Sequence, residues 1–229
     1  FYRCHYADPA AFENILHNLG DLSAIDQCGF QNDAFALFSA DQLSVDSMLA
    51  LLQSYSKLDC NSVLSDYLNG LDDFAAIFDD ANDDAIVKSL HKLGAAQVIP
   101  IATEVFAADA ATTSKKYTPT EVALLRRTMV SRAVGQAKLI GGDATAALQT
   151  PVVQQAKADG DGFLYSAQEI DADSMVGCLK ASVSLCDKKD KTTGAGGAFD
   201  ALWAKFLAVN DDAVLSRIYL GALCSSPHE

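Results

Sequence analysis

The sequence predicts an all-α fold, a helical bundle built from two diverged tandem repeats in a pseudo-twofold relation. Half of the 229 residues are hydrophobic and only 5 are proline, which suits a chain of packed helices. Apolar residues recur at helical spacing, and no segment shows the sustained alternation that is typical of a strand. Two sequence patterns also occur twice, in the same order, which indicates an internal duplication.

The repeat is clearest in two twelve-residue segments. Residues 37–48 read LFSADQLSVDSM and residues 164–175 read LYSAQEIDADSM, with six identical positions. Further along, Asn-Asp-Asp-Ala occurs at 82–85 and again at 210–213. The two offsets differ by a single residue, so one ancestral helical unit copied once accounts for both matches.

Helix starts in the first half follow from capping residues. Asp8 followed by Pro9 combines a capping carboxylate with a proline suited to the first helical position. Ser39 with Gln42 fits a capping box, in which the serine side chain binds a backbone N–H and the glutamine reaches back. Asn82 can cap a further helix, because the acidic pair that follows it favours the positive end of the helix dipole.

The second half carries equivalent signals. Thr118 with Glu121 is the clearest helix start in the chain, with Pro119 between them. Ser166 with Glu169 repeats the capping box of the first half, and Asn210 repeats its asparagine cap. A helix is also expected over 199–209, with three side chains on one apolar face, Leu202, Trp203 and Phe206.

Charge divides the chain into two parts and excludes some partners. We place the first repeat in residues 1–112, which carry the whole formal charge of −13, and the second in residues 113–229, which are neutral. Nucleic acid is not expected as a partner, because the acidic part would repel a phosphate backbone. The chain has no uninterrupted apolar run of about 18 residues, so no transmembrane segment is expected.

Six cysteines predict disulfide bonds and an extracytoplasmic location. An even number of cysteines without a CxxC pair favours disulfides over a zinc site. Each half holds three, so full oxidation would join the halves through at least one bond. We expect Cys60–Cys186 across the repeats and one bond inside each repeat, Cys4–Cys28 and Cys178–Cys224. The chain also begins without a signal peptide, which is compatible with a mature exported product.

One acidic motif suggests a metal site. The sequence Asp159-Gly160-Asp161-Gly162, with Glu169 beyond it, resembles the core of an EF-hand calcium loop. The resemblance departs from the family pattern at the first loop position, where Lys157 cannot bind a metal, and at the twelfth, where Gln168 precedes Glu169. The metal ligands that it implies are Asp159, Asp161 and Glu169. The alternative is an acidic turn before a capped helix.

Three functional hypotheses follow, and we rank a non-catalytic protein first. It would be an extracytoplasmic helical interaction or structural protein with a protein partner, either alone or as a subunit of a larger assembly, and it would need no cofactor. The second hypothesis is a carrier of an apolar ligand such as a lipid or pigment, enclosed by helices rich in alanine. The third is a calcium-responsive protein with a degenerate EF-hand-like loop. No arrangement of nucleophile and base stands out, so the chain is not expected to be an enzyme.

Overall fold

The computed structural model is all-helical, which confirms the predicted fold class. It describes residues 3–6, 8–55, 60–80, 84–107, 117–139, 150–166, 168–185, 197–209 and 211–225. The described residues form ten α-helices, α1 (Pro9–His17), α2 (Ala24–Ser39), α3 (Val45–Ser54), α4 (Asn61–Asp80), α5 (Asp84–Phe106), α6 (Pro119–Leu139), α7 (Pro151–Tyr165), α8 (Ala172–Ser184), α9 (Ala198–Ala208) and α10 (Ala213–Leu223). A 3-10 turn, Leu19–Asp21, follows α1.

The chain forms two compact units, Phe1–Gln97 and Val98–Glu229. Helices α1 to α4 and most of α5 belong to the first unit, and the end of α5 and helices α6 to α10 belong to the second. The boundary predicted at residue 112 lies outside the described residues and stays a prediction. No helix in the described part of the chain is both long and apolar enough to cross a membrane.

The first unit is held together by a core between α2, α3 and α4. Tyr67 of α4 is fully buried, and its hydroxyl donates a hydrogen bond to the Leu52 carbonyl oxygen at 3.1 Å. The buried Gln31 of α2 donates its amide N–H to the Val63 carbonyl oxygen at 3.3 Å. These side chains tie neighbouring helices together through backbone acceptors, which satisfies part of the buried polar surface.

The second unit is organised around α8. This helix packs against α6, α7 and α10, and eight of its thirteen residues are buried. Several of them are small, so neighbouring helices can approach closely. The C-terminal half of α8 packs with α9 and α10 in a continuous apolar core. Its buried side chains are Leu179, Val183, Ala198, Leu202, Tyr219, Ala222 and Leu223.

Two of the predicted capping arrangements are confirmed. Asp8 precedes α1 and accepts a hydrogen bond from the Ala10 N–H at 3.0 Å. Before α6, the Glu121 N–H donates to the Thr118 hydroxyl at 3.3 Å, and the Thr118 N–H donates to the Glu121 carboxylate at 2.9 Å. This reciprocal pair is the capping box that the sequence predicted.

The capping boxes predicted at Ser39 and Ser166 are wrong, because both serines lie where a helix ends. The Ser39 hydroxyl donates to the Phe35 carbonyl oxygen at 2.9 Å, and the Ser166 hydroxyl donates to the Gly162 carbonyl oxygen at 2.8 Å. A serine hydroxyl can satisfy either end of a helix. The following helices begin after Ser44 and Asp171, five residues beyond each serine.

The asparagines predicted as caps, Asn82 and Asn210, lie outside the described residues. The residue that caps α10 is Asp212, whose carboxylate accepts from the N–H groups of Val214 at 3.0 Å and Leu215 at 2.9 Å. A helix therefore begins at this pattern, with an aspartate as its cap.

Candidate functional site

A cavity of about 590 Å³ lies within the second unit, between the end of α5 and helices α6, α7 and α8. Its walls are contributed by thirteen residues, Thr103, Phe106, Ala107, Arg126, Pro151, Val152, Gln155, Asp159, Gln168, Glu169, Ile170, Asp171 and Ser174. The volume is typical of sites that bind small ligands. Both charged and apolar side chains line the cavity.

Arg126 of α6 is the basic group of the cavity, and its hydrogen bonds are made within the protein. Its Nε donates to the Val105 carbonyl oxygen at 2.8 Å, and one terminal nitrogen donates to the Ala107 carbonyl oxygen at 3.0 Å. The other terminal nitrogen lies 3.3 Å from the Asp171 carboxylate. The guanidinium therefore neutralises the last carbonyls of α5, where the helix dipole is negative, and fixes them to the start of α8.

The acidic wall is formed by Asp159 and Glu169. Asp159 is half-buried on α7, and one of its carboxylate oxygens accepts from the Gln155 amide at 2.9 Å. Glu169 is exposed on the segment that leads into α8. Asp171 is a third acid in the wall and is paired with Arg126. With every acid ionised and one arginine present, the cavity walls carry a formal charge of −2.

Ser174 adds a neutral polar group to the wall. The residue is only 7% exposed. Its N–H belongs to the first turn of α8 and donates to the Asp171 carbonyl oxygen at 2.9 Å. Its hydroxyl makes no hydrogen bond within the described part of the chain. A hydroxyl in such a position is available to a ligand that enters the cavity.

The EF-hand-like loop predicted around Asp159 is wrong, and so is the alternative of an acidic turn. Residues 159–162 lie inside α7. Asp161 pairs with Lys157 on the same helix at 2.5 Å and is not part of the cavity wall, whereas Asp159 and Glu169 are. Residues two apart on a helix point in different directions, so the two aspartates do not form the loop that the EF-hand pattern implies. No cluster of three metal-binding side chains occurs among the described residues.

Helix packing explains the glycines of this motif. A Cβ atom at Gly160 would overlap the Ser182 hydroxyl and would lie 2.8 Å from the Cys178 carbonyl carbon of α8. Gly177, on α8 itself, is equally confined, because a Cβ there would lie 3.1 Å from the backbone nitrogen of Ser131 on α6. Both glycines let α8 approach its neighbours closely.

Comparison with known protein families identifies the family of this chain. The family model for the ERAP1-like C-terminal domain matches residues 1–229, the whole sequence. The chain belongs to this family. No curated protein matches it. The cavity is thus a feature of an ERAP1-like C-terminal domain, formed by residues that lie inside the matched range.

The disulfide pairing predicted for this ERAP1-like domain is wrong where the structure describes both partners. Cys4, Cys28, Cys60, Cys178 and Cys224 are free thiols. Cys178 is fully buried in α8 whereas Cys224 is exposed beyond α10, and Cys4 is exposed whereas Cys28 is half-buried. Cys186 lies outside the described residues, so the Cys60–Cys186 pair has only its first member described.

The Cys178 thiol lies near the cavity and is poorly reactive. Burial, together with the negative charges of Asp159 and Asp171, raises the pKa of Cys178 to about 12. Only the thiolate is a nucleophile or a metal ligand. Cys178 therefore serves the core of this ERAP1-like domain as a small apolar side chain.

Sequence reasoning found part of the site. Asp159 and Glu169 were selected as ligands and do share the cavity, although the predicted loop around them does not form. Asp171 and Ser174 were missed, as was the role of Arg126. The signal available in the sequence was the acid-rich segment 168–174 directly before an apolar helix, since such segments often carry caps and binding groups.

Proposed function

We propose that this chain is a non-catalytic helical interaction domain that works as part of a larger assembly with a peptidase. The observation that carries the proposal is the match of the ERAP1-like C-terminal domain family over all 229 residues. That family name describes an all-helical domain of a peptidase. In this role the domain binds protein, and cleavage takes place elsewhere in the assembly.

An exposed apolar face on α9 supports a protein partner. Phe199, Trp203 and Leu207 follow one another at intervals of four residues, so they lie along one side of the helix. Their exposed fractions are 38%, 42% and 65%. The sequence predicted Leu202, Trp203 and Phe206 on one apolar face, but the structure buries Leu202 and exposes Trp203. Large apolar side chains grouped on a surface are typical of protein contacts.

The proposal keeps two earlier expectations. An extracytoplasmic location stays part of the proposal, although the free thiols of the described cysteines give it no support. An origin from two repeats is supported by the equal local geometry at Ser39 and Ser166, whose hydroxyls bind the carbonyl four residues back. It is also supported by the helix starts after Ser44 and Asp171, which are equivalent positions of the two segments.

The test compares the isolated chain with the native polypeptide that contains it. We expect the native protein to cleave quenched-fluorescent peptides and the isolated 229-residue chain to cleave none at equal concentration. The isolated chain is further expected to bind the peptidase portion in surface plasmon resonance. Cleavage by the isolated chain itself would refute the non-catalytic role.

Two matched variants test the apolar face. Leu207→Ala on α9 is expected to weaken binding of the peptidase portion about five-fold or more, as for a central interface residue. Leu124→Ala on α6 removes a leucine that is also exposed, at 48%, and is expected to leave binding unchanged. Equal effects of the two variants would show that the α9 face is not the interface.

A further inference from the structure

We propose that the cavity between α5, α6, α7 and α8 receives a lysine or arginine side chain of a polypeptide. This inference rests on the proposed function in one respect, since it assumes that the domain binds protein. It adds the chemical identity of the group that is bound and the residues that bind it.

The charge of the cavity selects a cation. The three kinds of nitrogen of Arg126 already donate to Val105, Ala107 and Asp171, so the guanidinium has little capacity left for an anion. Asp159 and Glu169 also line the cavity, and both carry negative charge. Their free oxygens are acceptors, and ammonium and guanidinium groups are pure donors. A positively charged group is therefore the complement of this wall.

The apolar part of the wall suits a long side chain. Phe106, Pro151, Val152 and Ile170 line the same cavity as the two acids. Lysine and arginine carry three or four methylene groups below the charged head, and such stems pack on apolar surface while the head remains with polar groups. A metal ion or an ammonium ion without a stem would leave this surface unused. The combination indicates a residue of a polypeptide.

Ser174 provides an observation that is independent of the acids. Its side chain is more than nine-tenths buried, it lines the cavity, and its hydroxyl has no hydrogen-bond partner within the described residues. The hydroxyl oxygen is open to the cavity, where it can accept a hydrogen bond from a ligand. A cationic head group entering the cavity supplies the missing donor.

Fluorescence anisotropy tests the proposal on the 229-residue chain. The probe is a fluorescein-labelled, C-terminally amidated hexapeptide whose only cation is one central lysine, and its matched control carries norleucine at that position. We expect the lysine peptide to bind about five-fold or more tightly than the norleucine peptide, from two partly exposed charge contacts. Raising the salt concentration is expected to reduce this preference, because exposed charges are screened.

Variants assign the preference to the cavity. The double variant Asp159→Asn with Glu169→Gln is expected to bring the lysine preference below about two-fold. Asp200→Asn is the control, because it removes one exposed acid of the same unit that does not line the cavity. Circular dichroism at 222 nm confirms that each variant is folded.

Several results would overturn the proposal. These are equal binding of the lysine and norleucine peptides, no binding of either at millimolar concentration, and an equal loss of preference in Asp200→Asn. Tighter binding of free spermidine than of the lysine peptide would identify a polyamine site instead. The assay contains no peptidase, so a failure here is distinguishable from a failure of the proposed function.

Discussion

The close crossing of α7 and α8 at Gly160 makes the sharpest stability prediction. Gly160→Ala adds a Cβ that would lie 2.8 Å from the Cys178 carbonyl carbon. The neighbour is backbone, so no side chain can rotate away and the helices must move apart. Overpacking of this kind costs about 1–3 kcal/mol, and a contact with backbone favours the upper end. Alanine recovers about 1 kcal/mol of helix propensity, which leaves a net loss of about 2 kcal/mol.

Gly135→Ala is the matched control. Gly135 lies inside α6 of the same unit, and a Cβ there would have nothing within 4 Å. The substitution is expected to stabilise the unit by about 0.5–1 kcal/mol, because alanine restricts the unfolded chain and favours the helix. The two variants should therefore differ by about 3 kcal/mol, although both make the same chemical change.

Urea unfolding followed by tryptophan fluorescence measures the difference. The chain contains one tryptophan, Trp203 of α9, so the signal reports the second unit, which holds both glycines. We expect a lower urea midpoint for Gly160→Ala and a higher one for Gly135→Ala, with similar slopes. If Gly160→Ala were as stable as the wild type, α7 and α8 would not approach each other closely at this position.

Four further predictions concern thiols, the start of α6 and calcium. Cys178 is fully buried, and burial raises the pKa of its thiol far above the ordinary value, so iodoacetamide should label Cys224 in the native protein and Cys178 only in urea. A Cys178–Cys224 disulfide in a non-reducing peptide map would contradict this. Thr118→Ala should lower the free energy of unfolding by about 1 kcal/mol in urea titrations, through loss of the cap of α6. Hydrogen bonds from Thr118 hold the pKa of Glu121 below its ordinary value. The wild type should therefore be more stable than Glu121→Gln above the ordinary pKa, and this difference in the free energy of unfolding should disappear as the pH falls through the pKa of Glu121 in the folded protein. A difference that persists in acid would refute the pairing. Calcium binding stays a prediction of the sequence. Because Asp161 is paired with Lys157, we expect about 5 mM calcium to leave the thermal midpoint unchanged relative to sodium chloride of equal ionic strength. This concentration is on the order of the dissociation constant of a weak extracellular site. A clear rise in the thermal midpoint would support calcium binding.

Local capping chemistry made several helix starts predictable, and tertiary contacts explain the failures. Asp8 and Thr118 act through neighbours within three residues, so the sequence contains all that is needed. Ser39 and Ser166 are ambiguous, because the same hydroxyl can bind an N–H at a helix start or a carbonyl at a helix end. The same pattern occurs in both segments, but it marks the end of a helix and not the start.

The segment around Asp159 failed for a different reason. Two glycines and two aspartates disfavour a helix by propensity, and an acidic turn or loop was the natural expectation. Packing of Gly160 against α8 instead favours a helix through the segment, since the absence of side-chain atoms allows the close crossing.

The apolar-ligand hypothesis also depended on tertiary structure, because no sequence pattern shows which side chains line a cavity. It stays a prediction, and the charged walls of the described cavity do not favour it.

The composition of the native polypeptide tests the central claim most directly. Top-down mass spectrometry of the protein purified from its source, with an antibody against this chain, gives the intact mass and the sequence that accompanies the domain. We predict one of two results: a mass well above the 24.3 kDa of this chain, with a peptidase sequence in the same polypeptide, or a peptidase that co-purifies with it as a separate polypeptide. A polypeptide that contains this domain and associates with no peptidase would contradict the account.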